Sequence, residues 1–397
     1  MKTKFLFLGI FTSIIFSCNN KQTSIEGNIS PLNKQLDVNS EIVDTSNIMF
    51  NEDSEILDLN YSVEQLDNTK GLSNSSVNTI FQDSENLLWI GTYDGLNRYD
   101  GNKFKIFRPE LNNENSLSNQ VILKIDEDET GLIWILTTSG IDSYDKKANS
   151  FNRHFFSSKN KIALSEGEFN VAINNSKKAF CAVKNWGFGY FDGKEFQKME
   201  VLNFPMNDVR TMEFSPSGEL LLLFENNDFI SLSIDSDENG EKSITNIKEI
   251  ATDIRNFSVL KNKIVYTNSS GKVFLHSLID DKTVALDFKN VQSIIKVSFD
   301  EVILNINNEK FLINSSGQVL HQRWLEYLQN KKITVLLFGK ENIIWVGTDG
   351  DAVLKIYPNK KSFNSVSVIQ VPDFDGGIIR AFSEIKGKAF FVGTKSK

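Results

Sequence analysis

The sequence predicts an all-β fold: a β-propeller of four-stranded blades, seven of them complete, with a further blade begun. Three observations predict it. A pattern of apolar and turn residues recurs about every 41–47 residues, the period of propeller blades. Each well-formed repeat holds four short apolar runs divided by turn signals, enough for one meandering sheet. Only six prolines occur in 397 residues, so strands run unbroken, and helical periodicity is nearly absent outside Trp324–Gln329.

The chain opens with Lys2 and Lys4 ahead of an apolar run, Phe5 to Phe16. That run is too short to span a bilayer and has the length of an export signal. It ends Ile15-Phe16-Ser17-Cys18, which resembles the lipobox of bacterial lipoproteins: aliphatic, variable, small, then Cys. The resemblance implies a signal peptide over 1–18 and lipid attachment at Cys18; an ordinary cleaved signal that contains a Cys is the alternative. Residues 19–58 are rich in Asn, Ser, Asp and Thr and read as a flexible tether. Formal charge is −8, and losing the first seventeen residues, with Lys2 and Lys4 and no acid, makes it −10. Such an acidic surface disfavours nucleic acid as a partner. Beyond Cys18 the one remaining cysteine is Cys181, so no internal disulfide is expected and the core alone holds the fold. With 40% hydrophobic residues and 31 Phe, that core is ample.

The repeats begin at Val77-Asn78-Thr79-Ile80, continue through Asp83 and Leu88-Trp89-Ile90-Gly91-Thr92, and end in Gly95-Leu96 and Tyr99-Asp100. A shift of 45 aligns Ile122, Ile125, Asp128, Trp134-Ile135, Gly140-Ile141 and Tyr144-Asp145 without a gap. Further copies follow at Phe169-Asn170, Val209-Arg210 and Ile254-Arg255, then fade near Ile294 to Leu320. The signature returns at Ile333-Thr334-Val335-Leu336 with Trp345-Val346-Gly347-Thr348, and an eighth copy starts at Ile379-Arg380. The blades are placed near 77–108, 121–155, 169–199, 209–235, 254–280, 294–320 and 333–366, within a first propeller at 59–377; residues 378–397 are the truncated start of a further blade. Asp94-Gly95 and Asp100-Gly101 between apolar runs are hairpin cues. Because a blade packs both faces on its neighbours, Trp89, Trp134 and Trp345 are expected to fill inter-blade space. Gly91 and Gly347 are expected to let adjacent sheets approach closely.

The run Gly71-Leu72-Ser73-Asn74-Ser75-Ser76-Val77-Asn78-Thr79-Ile80-Phe81-Gln82-Asp83, with Leu88 to Asp100 after it, resembles the two-component regulator propeller repeat. The resemblance implies the periplasmic sensor region of hybrid two-component systems common in Bacteroides-like bacteria. There, two seven-bladed propellers and a β-sandwich precede a membrane helix, a histidine kinase, a receiver and a DNA-binding domain, and many members sense oligosaccharides. No stretch of these 397 residues reads as the sandwich, membrane helix or kinase, and the eighth copy halts after two strands. A truncated reading frame is therefore expected. Ring closure is the alternative, with Tyr61–Leu66 supplying the missing outer strand: it precedes Gly71-Leu72-Ser73-Asn74 as Phe104–Phe107 precedes Ser116-Leu117-Ser118-Asn119.

No catalytic motif, cofactor site or metal spacing emerges. His154, His276 and His321 fall in different blades without ligand spacing, and there is no phosphate loop, Gly-x-Ser-x-Gly or Cys-x-x-Cys. A glycosidase-like carboxylate pair is the third-ranked reading. Candidate binding positions follow from strand polarity, since inner-strand starts and second-to-third turns share one rim. They are Asn78, Leu123, Asn170, Arg210, Arg255, Thr334 and Arg380, with Tyr93, Asp94, Asn185, Trp186 and Asp349 from the turns. An aromatic plate suits a sugar, and guanidinium forks suit a uronate or sulfate; solvated rim positions are the plainer alternative. The expected function is ligand sensing for a signalling system. An oligosaccharide or other small ligand, and a homodimer in the full-length sensor, are the expected partners. The alternative is a lipid-anchored scaffold for protein–protein contacts. The expected location is periplasmic, membrane-anchored by lipid.

Overall fold

The computed structural model describes residues 61–154, 168–199, 208–236, 242–359, 378–385 and 389–395. The expected signal, Cys18 and the tether lie outside the described residues. The chain divides into two units, one spanning Leu59–Lys360 and the other combining Met1–Asp58 with Lys361–Lys397.

The larger unit is a seven-bladed propeller of four-stranded antiparallel sheets. Blade 1 meanders through Val77–Gln82, Leu88–Thr92, Gly95–Tyr99 and Phe104–Phe107. Blades 2 to 6 repeat the plan from Ile122 to His154, Phe169 to Met199, Val209 to Ala251, Ile254 to Leu286 and Val291 to Leu320. Blade 7 is built differently. Its first three strands are Ile333–Phe338, Ile344–Thr348 and Val353–Pro358, and its outer strand is Tyr61–Leu66, paired antiparallel from Tyr61 opposite Pro358 to Leu66 opposite Val353. The ring therefore closes through a strand from ahead of blade 1 that lies in the sheet of blade 7. The closing-strand alternative is the one used, but against blade 7 rather than the eighth copy; the outer strand expected to lie within 333–366 is not local. Blade 6 also starts at Val291, ahead of the expected 294. The hairpin Ile378–Ile385 with Ala389–Lys395 forms a separate two-stranded sheet in the second unit.

First strands of neighbouring blades touch one another, which places them innermost. Seven hydrophobic clusters occupy the seven blade-to-blade seams, including the one from blade 7 to blade 1. A second strand has a neighbouring blade on each face, so it reads as a continuous apolar run: LWIGT, IWILT, AFCAV, LLLLF and IWVGT are buried at every residue. The one expected helix is a short 3-10 segment, Arg323–Leu328, that buries Trp324, Leu325 and Leu328.

The repeat signature is a packing device. Trp89 is fully buried between blades 1 and 2, 5.5 Å from the Tyr144 ring and 6.0 Å from Phe107. A buried indole needs an acceptor for its N–H, and Asp83 supplies it: Trp89 Nε1 donates to Asp83 Oδ2 at 2.8 Å. The other oxygen of Asp83 accepts the turn N–H groups of Glu85 at 3.0 Å and Leu87 at 2.8 Å. Asp128 does the same for Trp134 and for Thr130 and Leu132. One carboxylate thus closes the first turn of the blade and satisfies the tryptophan, which explains why Asp and Trp recur six residues apart in blades 1 and 2. Blade 7 lacks the acid and places Gly339 beside the Trp345 indole instead; a Cβ there would lie 2.8 Å from Nε1. Gly91 is required by close approach, since a Cβ would meet Ile122 of the next blade at 2.6 Å.

Candidate functional site

The rim that carries the inner-strand starts is shaped by an irregularity repeated around the ring. In blades 1, 2, 4, 5, 6 and 7 the register slips at the residue after the leading aliphatic, a β-bulge at Asn78, Leu123, Arg210, Arg255, Gln292 and Thr334. Bulges re-aim side chains, and here they turn toward the following blade. Asn78 Nδ2 donates to Ile122 O at 2.9 Å, Arg210 Nη2 to Ile254 O at 3.0 Å and Arg255 O at 2.7 Å, and Thr334 Oγ1 to Val77 O at 2.6 Å. Asn170, in blade 3 where the register is regular, reaches Val209 O at 2.8 Å. Polar residues at the candidate column therefore clasp one blade to the leading carbonyl of the next. Leu123 has no donor and packs instead in the seam between blades 2 and 3. Blade 5 moves the task one residue on, with Asn256 Nδ2 donating to Gln292 O at 3.3 Å. Arg380 sits at the same bulge in the separate hairpin.

Two polar groups stand out on this rim. At the junction of blades 7 and 1, Asp349 accepts from Ser76 Oγ at 2.8 Å and pairs with Lys332, which together hold its carboxyl below the usual carboxylate range. Tyr93, half-exposed beside them, is close enough to raise the Lys332 ammonium further. Asp94 is gripped in a fork by Arg108, with Nε to Oδ1 at 3.1 Å and Nη2 to Oδ2 at 2.8 Å. At the junction of blades 4 and 5, Arg210 also binds Asn227 Oδ1 at 2.9 Å and lies on the backbone of Arg255. The side chain of Arg255 is exposed and makes no polar contact among the described residues. Trp186 is half-buried against the seam of blades 2 and 3, its ring covering Gly189, where a Cβ would touch it at 2.6 Å, and Asn185 beside it is exposed with φ 62°. The structure thus gathers Arg210 with Arg255, and Tyr93 with Asp94 and Asp349. It keeps Trp186 apart in blade 3.

Inside the ring lies a charged set that the sequence reading missed. Lys124 of blade 2 donates from Nζ to Val171 O of blade 3 at 3.0 Å and Met212 O of blade 4 at 3.3 Å. Lys296 of blade 6 pairs with Glu213 of blade 4 at 2.7 Å. Contacts that skip a blade can only cross the central channel, so two lysines strut it from wall to wall. Burial pulls the Lys124 ammonium down and pushes the Asp126 carboxyl up, each partly offset by the charge of the other. The only signal was charge alternating with buried isoleucines along Ile122–Glu127, and its partners lie in blades far along the chain. Among the described residues no cluster of His, Cys, Asp and Glu could hold a metal. His154 lies among the rings of Trp134, Phe191 and Phe196, His276 meets Thr283 Oγ1 at 3.0 Å, and His321 is exposed.

Comparison with known proteins bears on this geometry. Residues 71–94 match the two component regulator propeller family. Over 38 residues the chain is 60% identical to histidine kinase P4 of Formosa agariphila, a match that covers 10% of this chain and 3% of the kinase. The fold is similar to the extracellular domain of a putative hybrid two component system from B. thetaiotaomicron, with TM-score 0.58 and 19% identity over 84% of this chain and 47% of that one. The extracellular domain of a putative one component system from the same organism matches with TM-score 0.56 and 15% identity over 76% of this chain and 42% of that one. Virginiamycin B lyase from Staphylococcus aureus matches with TM-score 0.53 and 11% identity over 75% of this chain and 99% of the lyase. The chain spans less than half the length of the two extracellular domains. It carries a two component regulator propeller repeat on the fold of those domains.

Proposed function

We propose that this chain is the ligand-sensing propeller of an extracytoplasmic two-component signalling system, exported and held to a membrane by lipid at Cys18, with a glycan-derived oligosaccharide as its ligand. The observation that carries the reading is the repeat at 71–94, set in a seven-bladed ring whose fold is that of extracellular domains of such systems. The rim suits recognition rather than chemistry. Its carboxylates are tied up, Asp94 with Arg108 and Asp349 with Lys332 and Ser76. Arg255 presents an unspent guanidinium beside Arg210, a geometry that favours carboxylate or sulfate groups on a sugar. The channel is crossed by the Lys124 and Lys296 struts, which favours a ligand seated on the rim over one threaded through the axis. In a full-length sensor, occupancy of the rim would then be read by further domains and a homodimer.

Calorimetric titration of the exported chain with oligouronates and sulfated oligosaccharides tests the reading. Binding that is lost in Arg255→Ala and weakened in Arg255→Lys supports an acidic-glycan subsite, and equal affinity of wild type and Arg255→Ala removes it. A scaffold for protein partners is the second reading, favoured by Leu111, Ile279 and Phe299, which stand at least 70% exposed. Co-purification of a stoichiometric protein partner that Leu111→Ser or Phe299→Ser releases, with no glycan bound, would establish it.

A further inference from the structure

Blades 1 and 2 superpose without gaps in sequence, and their rim connections are held by the same device with one change of chemistry. In blade 1, Asn97 is fully buried on the third strand. Its Oδ1 accepts the Ser73 N–H at 2.9 Å, and its Nδ2 donates to Ser73 Oγ at 2.8 Å, Ile90 O at 3.2 Å and Gly95 O at 3.4 Å. Ser73 Oγ meets Thr92 Oγ1 at 2.8 Å, and Thr92 donates to Gly95 O at 3.0 Å. Forty-five residues on, every partner is conserved in place: Ser118 Oγ meets Thr137 Oγ1 at 2.8 Å and Thr137 donates to Gly140 O at 3.2 Å. The residue at the centre is Asp142, equally buried, whose Oδ2 accepts the Ser118 N–H at 2.7 Å. Its Oδ1, in the position of the Asn97 amide nitrogen, has no hydrogen-bond partner among the described residues.

An ionised carboxylate is an acceptor only. At this position its second oxygen would occupy the place from which blade 1 sends a donor to a hydroxyl and to two main-chain carbonyls. A protonated acid has one O–H and the shape of the amide it replaces. We propose that Asp142 is a neutral carboxylic acid in the folded protein below neutral pH, standing in for an asparagine, and that its ionisation loosens the rim connection between blades 1 and 2.

The groups around it leave little to stabilise a charge. The second strand offers Ile135 and Thr137, the connection offers Ser118, and the face shared with Ile135 is packed by Leu96 and Leu117. The charged neighbour is Arg153 of the outer strand, paired opposite Asp142, and its guanidinium is committed to the connection: Nε to Ser116 O at 2.8 Å, and Nη2 to Leu117 O at 2.8 Å and Asn113 O at 3.1 Å. His154, next in the chain, packs its ring on Phe191 and Phe196 of blade 3 and meets Ser143 Oγ at 3.0 Å. Burial pushes the Asp142 carboxyl up to about 7, against the pull of Ser118 and Arg153.

The sign follows from linkage. An unfolded Asp titrates near ~3.9, so the folded state holds the extra proton between that pH and about 7. Stability from this group is complete below the unfolded value, drains as pH rises toward the folded one, and levels off above it, a total of roughly a thousandfold in the folding equilibrium. The experiment compares chemical unfolding of the exported chain and its Asp142→Asn variant from pH 5 to 9, with infrared difference spectra across the same range. Wild type should lose midpoint relative to Asp142→Asn as pH rises, and a protonated-carboxyl band should vanish near neutrality in wild type and be absent from the variant. The reciprocal Asn97→Asp should install a second such titration in blade 1. Parallel pH profiles for wild type and Asp142→Asn, or no carboxyl band lost near neutrality, would overturn the proposal.

Discussion

The pairing of Asp83 with Trp89 gives the account its sharpest energetic consequence. Replacing Asp83 by Ala strands the Trp89 indole N–H at 0% exposure, with Tyr144 and Phe107 packed over the ring. A buried donor left without a partner costs about 1–3 kcal/mol. The turn N–H groups of Glu85 and Leu87 also lose their acceptor, but that turn is partly exposed and water recovers most of the loss, leaving roughly 1 kcal/mol. Lys146 keeps Glu127 at 2.8 Å and Glu85 at 3.1 Å, so it adds little. The sum is about 2–4 kcal/mol for Asp83→Ala, within the range of buried-network losses. Trp89→Phe leaves Asp83 Oδ2 with Lys146 Nζ alone, at 3.4 Å, and opens a small void, for about 1–3 kcal/mol of its own. The double mutant removes both halves of one bond, so it should fall short of the sum by about 1–3 kcal/mol. Urea unfolding of the four proteins, read by far-ultraviolet circular dichroism, measures that coupling. Strict additivity would refute the claim that the repeat signature is a single hydrogen-bonded unit.

Other outcomes follow from the same structure. Gly91→Ala drives a methyl into Ile122 and Thr79 at 2.6 Å and should cost about 1–3 kcal/mol by overpacking, measured as a lower urea midpoint; an unchanged midpoint would show that the blades can separate freely. Lys124→Met removes a half-buried cation that donates to two carbonyls and offsets the burial of the Asp126 carboxylate, so stability should fall by about 1–3 kcal/mol, and an unchanged urea midpoint would show that the strut does not hold the ring. His154, held down to about 4 by burial among aromatic rings, gives stability that is complete above its unfolded value of ~6.5 and drains as pH falls toward the folded one; His154→Phe should flatten that acid limb in thermal melts. The Cys181 thiol is buried and pushed well up, so in a Cys18→Ser background a thiol reagent should label it only after unfolding.

What the sequence disclosed and what it withheld divide along physical lines. Trp89, Trp134 and Trp345, with Gly91 and Gly347, were readable because each fills a fixed place in a seam, so the residue type itself reports the geometry. Blades 4 to 6 carry no such marks, and their second strands were visible only as apolar runs such as Leu220–Phe224. The closing strand was misplaced because its partner lies almost the full ring away in the chain, so no local pattern marks the pairing. The rim column was read from strand polarity, and in the structure Asn78, Asn170, Arg210 and Thr334 spend donors on the neighbouring blade. A single sequence shows the donor and not where it points. Lys124, Glu213 and Lys296 were invisible as a set for a related reason: only the closed ring brings three different blades to one axis.

Ring closure by the strand at Tyr61–Leu66 is the claim on which the seams, the channel and the rim all depend. Glu64 and Lys355 face each other across the closing pair, with their charged groups 3.8 Å apart. In a Cys18→Ser background, Glu64→Cys with Lys355→Cys should oxidise within one molecule and raise the unfolding midpoint. The chain-entropy ceiling for the resulting loop of about 290 residues is roughly 5–6 kcal/mol. Thiols that stay free, or that cross-link only between molecules, would contradict it.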